Sequence, residues 1–266
     1  MLVSIIVPIY KGKKYIPRLI RIIENNKRNL TGINDIELIF VNDYPEEAIL
    51  ERDIRSNIIE TKLVNNAHNS GIHRSRLIGL ENASGEYVVF LDQDDVIKGD
   101  YVKRQLEKIK DKDIVVCNGI VKTPTYRKLL YRFWFMQITV KYLFFYTKFG
   151  CRIVSPGQCM IRKNRISEWW KKEIILNNGS DDFFLWLLML SEGKKFTINR
   201  SILFEHIIHT NNTSNDNQKI IDSVQEIIKV LEKHKLLSIF HINLIRKQIT
   251  KEKSLFVKIV EKLNKV

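Results

Sequence analysis

The stretch GEYVVFLDQDD, residues 85–95, sets an apolar, β-branched run directly before three carboxylates. The run predicts a buried strand, because continuous apolar segments suit a sheet that is covered on both faces. Asp92, Asp94 and Asp95 then follow where that strand ends. Carboxylates crowded in this way repel one another, and the arrangement is costly unless a cation lies among them. The stretch therefore predicts a covered sheet with a cation at one strand end.

Strands and helices alternate through the first 118 residues. Val3–Ile9 and Glu37–Val41 have the pattern of buried strands, and apolar residues at i, i+3, i+4 and i+7 between them predict a helix. The pattern then predicts, in order, a strand at Lys62–Asn65, a helix at Ile72–Leu80, a strand at Tyr87–Leu91, a helix at Val102–Ile109 and a strand at Ile114–Cys117. Such alternation predicts an α/β fold with a mostly parallel, doubly wound sheet.

The pattern is less regular after residue 118. Gln158–Arg162 favours a strand, Asp182–Leu190 favours a helix, and KKFTINRSILFEH favours a short antiparallel pair of strands around Asn199. Apolar residues from Ile220 to Leu231 predict one face of a long amphipathic helix. A second amphipathic, lysine-rich stretch reaches Val266.

The positive charge of the chain is unevenly distributed. The net charge is +14, and residues 120–172 hold twelve Lys and Arg against one acid, while residues 229–266 hold ten against three. Solvated surface lysines would explain this distribution, and so would a partner with an anionic surface, either phospholipid or nucleic acid. The three cysteines lack the spacing of metal ligands and favour reduced thiols in the cytoplasm.

Two apolar segments have features in common with targeting or membrane segments. The N-terminal MLVSIIVPIYKG lacks a leading basic region and is interrupted at Pro8, which favours a first strand over a signal peptide. The segment from Leu129 to Tyr146 contains Arg132, Gln137 and Lys141, which are costly at the centre of a bilayer. We therefore expect a cytoplasmic protein without a transmembrane span.

Two polar clusters are expected at the same edge of the sheet. Asn42 and Asp43 follow the second strand as the aspartates follow the fourth, and ligands of parallel sheets bind beyond the carboxyl ends of the strands. The alternative is that these aspartates only cap helices. Oxygen ligands favour Mg²⁺ or Mn²⁺. Because the sequence has no glycine-rich phosphate loop, a diphosphate at this edge would be held by metal.

The segments SIIVPIYKGKKYI, ELIFVND, NSGIHRSRLIGLENASGEYVVFLDQDD and SDDFFLWLL together resemble the inverting family-2 glycosyltransferases of the GT-A fold. The resemblance is dense over residues 3–95 and thinner over residues 155–214. It implies a metal-dependent, inverting hexosyltransferase that uses a nucleoside-diphosphate sugar, with UDP as the default nucleotide. Departures from the family pattern are Tyr44-Pro45 in place of Gly-Ser, Leu77 in place of Asn, and Asp181 in place of Glu.

The resemblance also implies roles for individual residues. The backbone of Pro8 and Tyr10 would line the nucleobase pocket, and Asp43 would accept a hydrogen bond from uracil. Arg76 would lie near the base and the ribose, and Asn69 and Gly71 would shape the loop before it. Asp92 would lie near the ribose, and Asp94 would bind the metal. Asp182 would be the general base, with Asp181 as its nearest rival. His209 would approach the diphosphate or the metal, and His206 is the substitute for that role.

The same resemblance suggests how the chain is organised and where it works. Residues 1–215 would form the GT-A domain, with a nucleotide-sugar half at 1–118 and an acceptor half at 119–215, and residues 216–266 would add basic C-terminal helices. The acceptor would be a glycan on polyprenyl diphosphate, in capsule or other cell-surface polysaccharide synthesis at the inner face of an anionic membrane. The alternatives are a nucleic-acid-binding protein that uses the basic aromatic segments, or a sugar nucleotidyltransferase.

Overall fold

The computed structural model describes residues 1–208 and 216–250, and its centre is one mixed β-sheet. The described strands are β1 (Leu2–Ile9), β2 (Asp35–Asn42), β3 (Glu60–Asn65), β4 (Tyr87–Phe90), β5 (Val96–Ile97), β6 (Ile114–Lys122), β7 (Arg127–Leu129), β8 (Cys159–Arg162) and β9 (Phe196–Ile207). Their order is β3-β2-β1-β4-β8-β6-β9-β5, and β7 pairs with β6.

Helices cover both faces of this sheet. The described α-helices are α1 (Ile16–Arg28), α2 (Ile72–Glu81), α3 (Tyr101–Ile109), α4 (Trp134–Ile138), α5 (Leu143–Phe149), α6 (Glu168–Lys172), α7 (Asp181–Ser191), α8 (Asn217–Lys233) and α9 (residues 239–250, where the described part ends). No helix within residues 1–208 or 216–250 is long and apolar enough to cross a membrane.

The first half of the sheet is parallel, as the sequence predicts. β1 lies between β2 and β4, with Ile5 opposite Leu38 on one side and Val89 on the other. All three side chains are fully buried, because helices cover both faces of these strands. The carboxyl ends of β1, β2 and β4 therefore meet at one edge of the sheet, which is where the polar clusters were expected.

Two hydrophobic cores lie on the two faces of the sheet. One contains the inner faces of α1 and α3, and the other contains those of α2, α7, α8 and α9. On α2, a Cβ added at Gly79 would lie 2.2 Å from the side chain of Ile6, so only glycine permits this close approach of helix and strand. The C-terminal helices thus pack into the same core as α7, while the division of the chain at residue 215 remains a prediction.

The predicted antiparallel pair around Asn199 is wrong. Residues 196–207 form a single strand that runs parallel to β6, with register shifts on either side of Asn118. The side chain of Asn199 does not close a turn; it donates to the backbone oxygen of Arg104 and to the side chain of Gln105, and it accepts from the amide of Ser201. These bonds hold a local irregularity, after which the strand continues.

Candidate active site

Asp43, directly after β2, organises the loop that leads into α2. Its Oδ1 accepts hydrogen bonds from Asn66 Nδ2 at 2.8 Å and from the Ser70 amide at 2.7 Å, and its Oδ2 accepts from the Gly71 amide at 3.0 Å. Asn69 Oδ1 also accepts from the Gly71 amide, at 3.1 Å. Gly71 has φ +83°, a conformation that favours glycine. The loop beside the expected ligand edge is therefore held by a buried carboxylate.

Tyr10, at the end of β1, is joined to the middle residue of the Asp-x-Asp sequence. The Tyr10 amide donates to Gln93 Oε1 at 3.0 Å, and Gln93 Nε2 donates back to the Tyr10 oxygen at 3.0 Å. The partly exposed Tyr10 ring meets the Tyr44 ring edge to face, with centroids 5.3 Å apart, and Lys11 lies 4.9 Å from the Tyr44 centroid. Gln93 thus connects the strand that carries the aspartates to an aromatic pair at the neighbouring strand ends.

Arg76 on α2 joins two carboxylates that come from opposite halves of the chain. Its Nη2 donates to Asp92 Oδ1 at 2.6 Å, and its Nη1 donates to Asp181 Oδ2 at 2.7 Å. The side chain of Asp181 is 4% exposed and that of Asp92 is 29% exposed. Burial opposes the positive charge of Arg76, but the two carboxylates outweigh that cost and raise its pKa. One buried cation therefore ties the end of β4 to the start of α7.

Asp95 links the same aspartate cluster to the far side of the sheet. Ser155 Oγ lies 2.9 Å from Asp95 Oδ2 and 3.3 Å from Asp92 Oδ2. The other oxygen, Asp95 Oδ1, lies 2.9 Å from His206 Nδ1 and accepts from the Ile207 amide at 3.1 Å. Burial raises the pKa of Asp95 to about 6, although the hydrogen bond from His206 acts in the opposite direction.

The contact with Asp95 also shifts the pKa of His206. Burial by itself lowers the pKa of His206, but the hydrogen bond and the charge of Asp95 raise it above its ordinary value. The Nδ1 of His206 is therefore engaged with Asp95, and a role at a metal or diphosphate would fall to its other ring nitrogen. His209, the preferred residue for that role, lies outside the described residues.

Two consecutive aspartates open α7 and differ in their surroundings. Asp181 is buried against Arg76, and Trp170 Nε1 donates to its backbone oxygen at 3.0 Å. Asp182 is partly exposed and accepts from the Phe183 amide at 2.8 Å. Burial and the neighbouring charge of Asp181 raise the pKa of Asp182 to about 7, against the influence of Arg76. Of these two aspartates, Asp182 is the one whose pKa is raised to near neutral pH.

The aspartates after β4 fit a divalent cation that shares its coordination with a ligand. Among the described residues, no group of three or more His, Cys, Asp and Glu side chains forms a metal cage. Mg²⁺ and Mn²⁺ that bind substrate phosphates need only one or two carboxylates, however, and keep water or phosphate in the other positions. Asp92 and Asp94 supply oxygen ligands of that kind, so the donor chemistry fits.

The structure brings most of the predicted site residues to one edge. Pro8 and Tyr10 end β1, Asp43 holds the loop of Asn69 and Gly71, and Arg76 connects Asp92 to Asp181 beside Asp182. Sequence reasoning missed Gln93 and Ser155. Gln93 lies between two predicted ligands and could have been examined for that reason, whereas no pattern around Ser155 indicates its contacts.

A doubly wound sheet with aspartates at the carboxyl ends of its strands is the architecture of the GT-A glycosyltransferases, and the fold of this chain is of that class. The chain belongs to glycosyl transferase family 2, whose sequence profile matches residues 4–170. The resemblance drawn from the motifs is therefore confirmed.

Bacterial relatives agree with this assignment over part of their length. An uncharacterized glycosyltransferase of Haemophilus influenzae is 34% identical over 126 residues, which are 44% of this chain and 46% of the relative. The putative glycosyltransferase EpsH of Bacillus subtilis is 33% identical over 124 residues, 44% of this chain and 33% of the relative. The minor teichoic acid biosynthesis protein GgaB of Bacillus subtilis is 33% identical over 100 residues, 35% of this chain and 10% of the relative. The aligned part is less than half of each relative.

Solved structures share the fold at low sequence identity. TarS residues 1–349 of S. aureus in complex with UDP superimposes with a TM-score of 0.59 at 17% identity, covering 87% of this chain and 65% of that one. The mannosyltransferase PcManGT of Pyrobaculum calidifontis, in complex with GDP-Man and Mn²⁺, has a TM-score of 0.59 at 14% identity, covering 89% of this chain and 64% of that one.

Proposed function

We propose that this protein transfers a sugar from a nucleoside-diphosphate sugar, with UDP as the nucleotide, to a hydroxyl of a glycan acceptor. The observation that carries the proposal is the network from Asp92 through Arg76 to Asp181 and its neighbour Asp182. It joins the sheet edge where family-2 enzymes are expected to bind the donor to a carboxylate whose pKa is about 7. The proposed donor and acceptor sides would thereby be connected through the ion pairs of Arg76.

The donor would lie along the carboxyl ends of β1, β2 and β4. The exposed ring of Tyr10 and the half-buried ring of Tyr44 offer an aromatic pair for a nucleobase, beside the backbone of Pro8. Asp43 already accepts three hydrogen bonds, two on Oδ1 and one on Oδ2, so its contact with uracil would use the remaining lone pair of Oδ2. UDP in the TarS structure and GDP-Man in the PcManGT structure support a nucleotide or nucleotide-sugar ligand for this fold.

The chemistry proposed for the donor side needs a charge partner for the leaving diphosphate. A Mn²⁺ or Mg²⁺ ion held by Asp94, with Asp92 and His209 proposed as further contacts, would supply Lewis-acid stabilisation of that leaving group. Arg76 cannot do this alone, because both of its terminal nitrogens are engaged by carboxylates. Ser155 keeps Asp92 oriented from the opposite side.

On the acceptor side, Asp182 would take the proton from the attacking hydroxyl. A general base works best when its pKa lies near the operating pH, and a value of about 7 meets that condition. Asp181 is already paired with Arg76 and is the poorer candidate. Attack on the anomeric carbon opposite the leaving diphosphate proceeds through an oxocarbenium-like state and inverts the configuration.

The acceptor proposed is a glycan carried on polyprenyl diphosphate, in the synthesis of capsule or another bacterial cell-surface polysaccharide. The name of one relative, a minor teichoic acid biosynthesis protein, supports a cell-surface polymer. Such an acceptor would be met at the inner face of the cell membrane.

A thermal-shift screen tests the donor assignment. The purified protein is heated with UDP, GDP, CDP and a single-stranded oligonucleotide, each with Mn²⁺, with Mg²⁺ and with EDTA. We expect UDP to raise the melting temperature only when Mn²⁺ or Mg²⁺ is present. We then expect the protein to release UDP from a UDP-sugar when a glycan acceptor is supplied. Stabilisation by the oligonucleotide alone would support the nucleic-acid alternative and refute the proposal.

A further inference from the structure

Most of the exposed aromatic side chains of the described residues lie in one short part of the chain. Trp134 is 57% exposed and Phe149 is 56% exposed, although large aromatic side chains are usually buried in cores. We define the aromatic segment by its exposed members, Phe133, Trp134, Phe135, Tyr142, Phe144 and Phe149. Exposed apolar side chains grouped along the chain in this way mark an interaction site more often than scattered ones do.

The aromatic segment is not an unfilled part of the core. α4 and α5 already have a buried side, made by Gln137 and Tyr146 with Val140 between the helices. Gln137 Nε2 donates to backbone oxygens of Val116 and Asn199, which fixes α4 on the sheet. The exposed rings are therefore additional to the packing that holds these helices in place.

The charge around the aromatic segment selects the kind of partner. Residues 120–167 contain no Asp or Glu. Arg132 lies 5.4 Å from the centroid of the Phe133 ring, and Lys148 lies 5.2 Å and 5.4 Å from those of Phe144 and Phe149. Aromatic rings suit the interfacial layer of a bilayer, and cations beside them are attracted by anionic headgroups.

We propose that the aromatic segment docks the protein on an anionic phospholipid surface, with its rings in the headgroup layer and its cations on the lipid phosphates. Ser155 follows Phe149 by six residues and contacts the aspartates of the site, so the Phe149 end of the segment lies within about 20 Å of Ser155. Docking would bring the site to an acceptor carried by lipid, and this last step rests on the proposed function. The proposed contact with lipid does not depend on the proposed function.

The competing occupant of this surface is the C-terminal part of the chain, which lies outside the described residues. α9 runs beside α5, since Gln248 Nε2 donates to the Tyr146 oxygen and Thr147 Oγ1 lies 2.9 Å from His241 Nδ1. The described end of α9 therefore lies near the aromatic segment. Residues 251–266 carry five Lys against two Glu, however, so their charge has the same sign as that of the segment. Anionic lipid complements both, which favours the membrane.

Vesicle sedimentation tests the proposal with the full chain. Binding is measured on phosphatidylcholine vesicles with and without phosphatidylglycerol. We expect sedimentation only with the anionic vesicles, and release at high salt. The double variant Arg132→Gln/Lys148→Gln should bind about 25-fold more weakly, at about fivefold per cation. Trp134→Ser/Phe135→Ser should weaken binding by roughly tenfold through loss of apolar contact.

Matched controls remove the same kinds of group elsewhere on the surface. Ile33→Ser removes a side chain that is 94% exposed, and Lys103→Gln/Lys108→Gln removes two exposed cations from α3. Both controls should bind vesicles within about twofold of the unchanged protein if the effect belongs to the aromatic segment. Far-UV circular dichroism and the melting temperature verify that all variants remain folded.

Four outcomes would overturn the proposal. Equal losses in the control and test variants would mean that only net charge matters, and no sedimentation at low salt would mean that lipid is not the partner. If Phe256→Ser/Ile259→Ser strongly increased vesicle binding, residues 251–266 would be the normal occupant of the surface. Preferential binding of a single-stranded oligonucleotide would identify nucleic acid instead. If the unchanged protein binds anionic vesicles but does not bind UDP, the proposed function is refuted and this inference stands.

Discussion

Replacement of Arg76 by methionine would leave two carboxylates without the cation they share. Arg76 lies 2.6 Å from Asp92 and 2.7 Å from Asp181, and the Asp181 side chain is 4% exposed. Removing one partner of a buried ion pair costs about 3–5 kcal/mol, because the remaining charge stays buried. Asp181 accounts for most of that cost, since Asp92 is 29% exposed and partly solvated. We therefore predict a loss of about 3 kcal/mol in the free energy of unfolding at pH 7.

Urea titration at several pH values measures this loss and identifies its cause. Protonation of the uncompensated carboxylate removes the buried charge, so the stability difference between Arg76→Met and the unchanged protein should shrink as the pH falls toward 4. Arg74→Met is the matched control, because Arg74 is an exposed residue on the same helix, and its effect should stay below about 0.5 kcal/mol. Equal losses in the two variants, or a loss that does not change with pH, would refute the ion-pair reasoning.

The further predictions concern Asp182, on the proposed acceptor side, and Glu226 on α8. Asp182→Asn should reduce turnover by about 10²–10⁴-fold. Turnover of the unchanged enzyme should rise as the pH increases through about 7, because the base must be deprotonated and its pKa is raised to about 7. The same variant should be more stable than the unchanged protein at pH 8, by about 1 kcal/mol or more, since the cost of charging Asp182 in the fold is fully present above its raised pKa. A larger loss of turnover for Asp181→Asn, or an acidic limb centred near pH 4, would contradict the assignment. Glu226 on α8 accepts hydrogen bonds from the backbone amides of Leu176 and Asn177 at 2.8 and 2.9 Å. Glu226→Gln should therefore speed hydrogen exchange at these two amides and lower the free energy of unfolding by about 1–2 kcal/mol. Unchanged exchange would count against this contact.

The parallel half of the fold could be predicted because its determinants are local. Each of β1, β2 and β4 is short and mostly apolar, and residues of this kind are buried wherever they lie in a covered sheet. The polar residues that follow them had to meet at one edge once the strands were parallel. The positions of Asp43 and Asp92 at a common edge therefore followed from the sequence.

The connections across the site could not be predicted in the same way. Arg76 and Asp181 are 105 residues apart, and Ser155 and Asp95 are 60 apart, so no periodicity relates them. The error at Asn199 has a related cause. A polar residue between two apolar runs is typical of a turn, but here its side chain is satisfied by bonds to α3. Only the folded arrangement provides those partners.

Calorimetric titration of UDP into the protein tests the central claim most directly, because that claim is a metal-dependent nucleotide site at the end of β4. The account predicts clear binding with Mn²⁺, much weaker binding with EDTA, and equally weak binding to Asp94→Asn in either buffer. Lys103→Gln on α3 serves as the control and should bind as the unchanged protein does. Equal affinity for UDP in Mn²⁺ and in EDTA, or full metal-dependent binding by Asp94→Asn, would contradict the account.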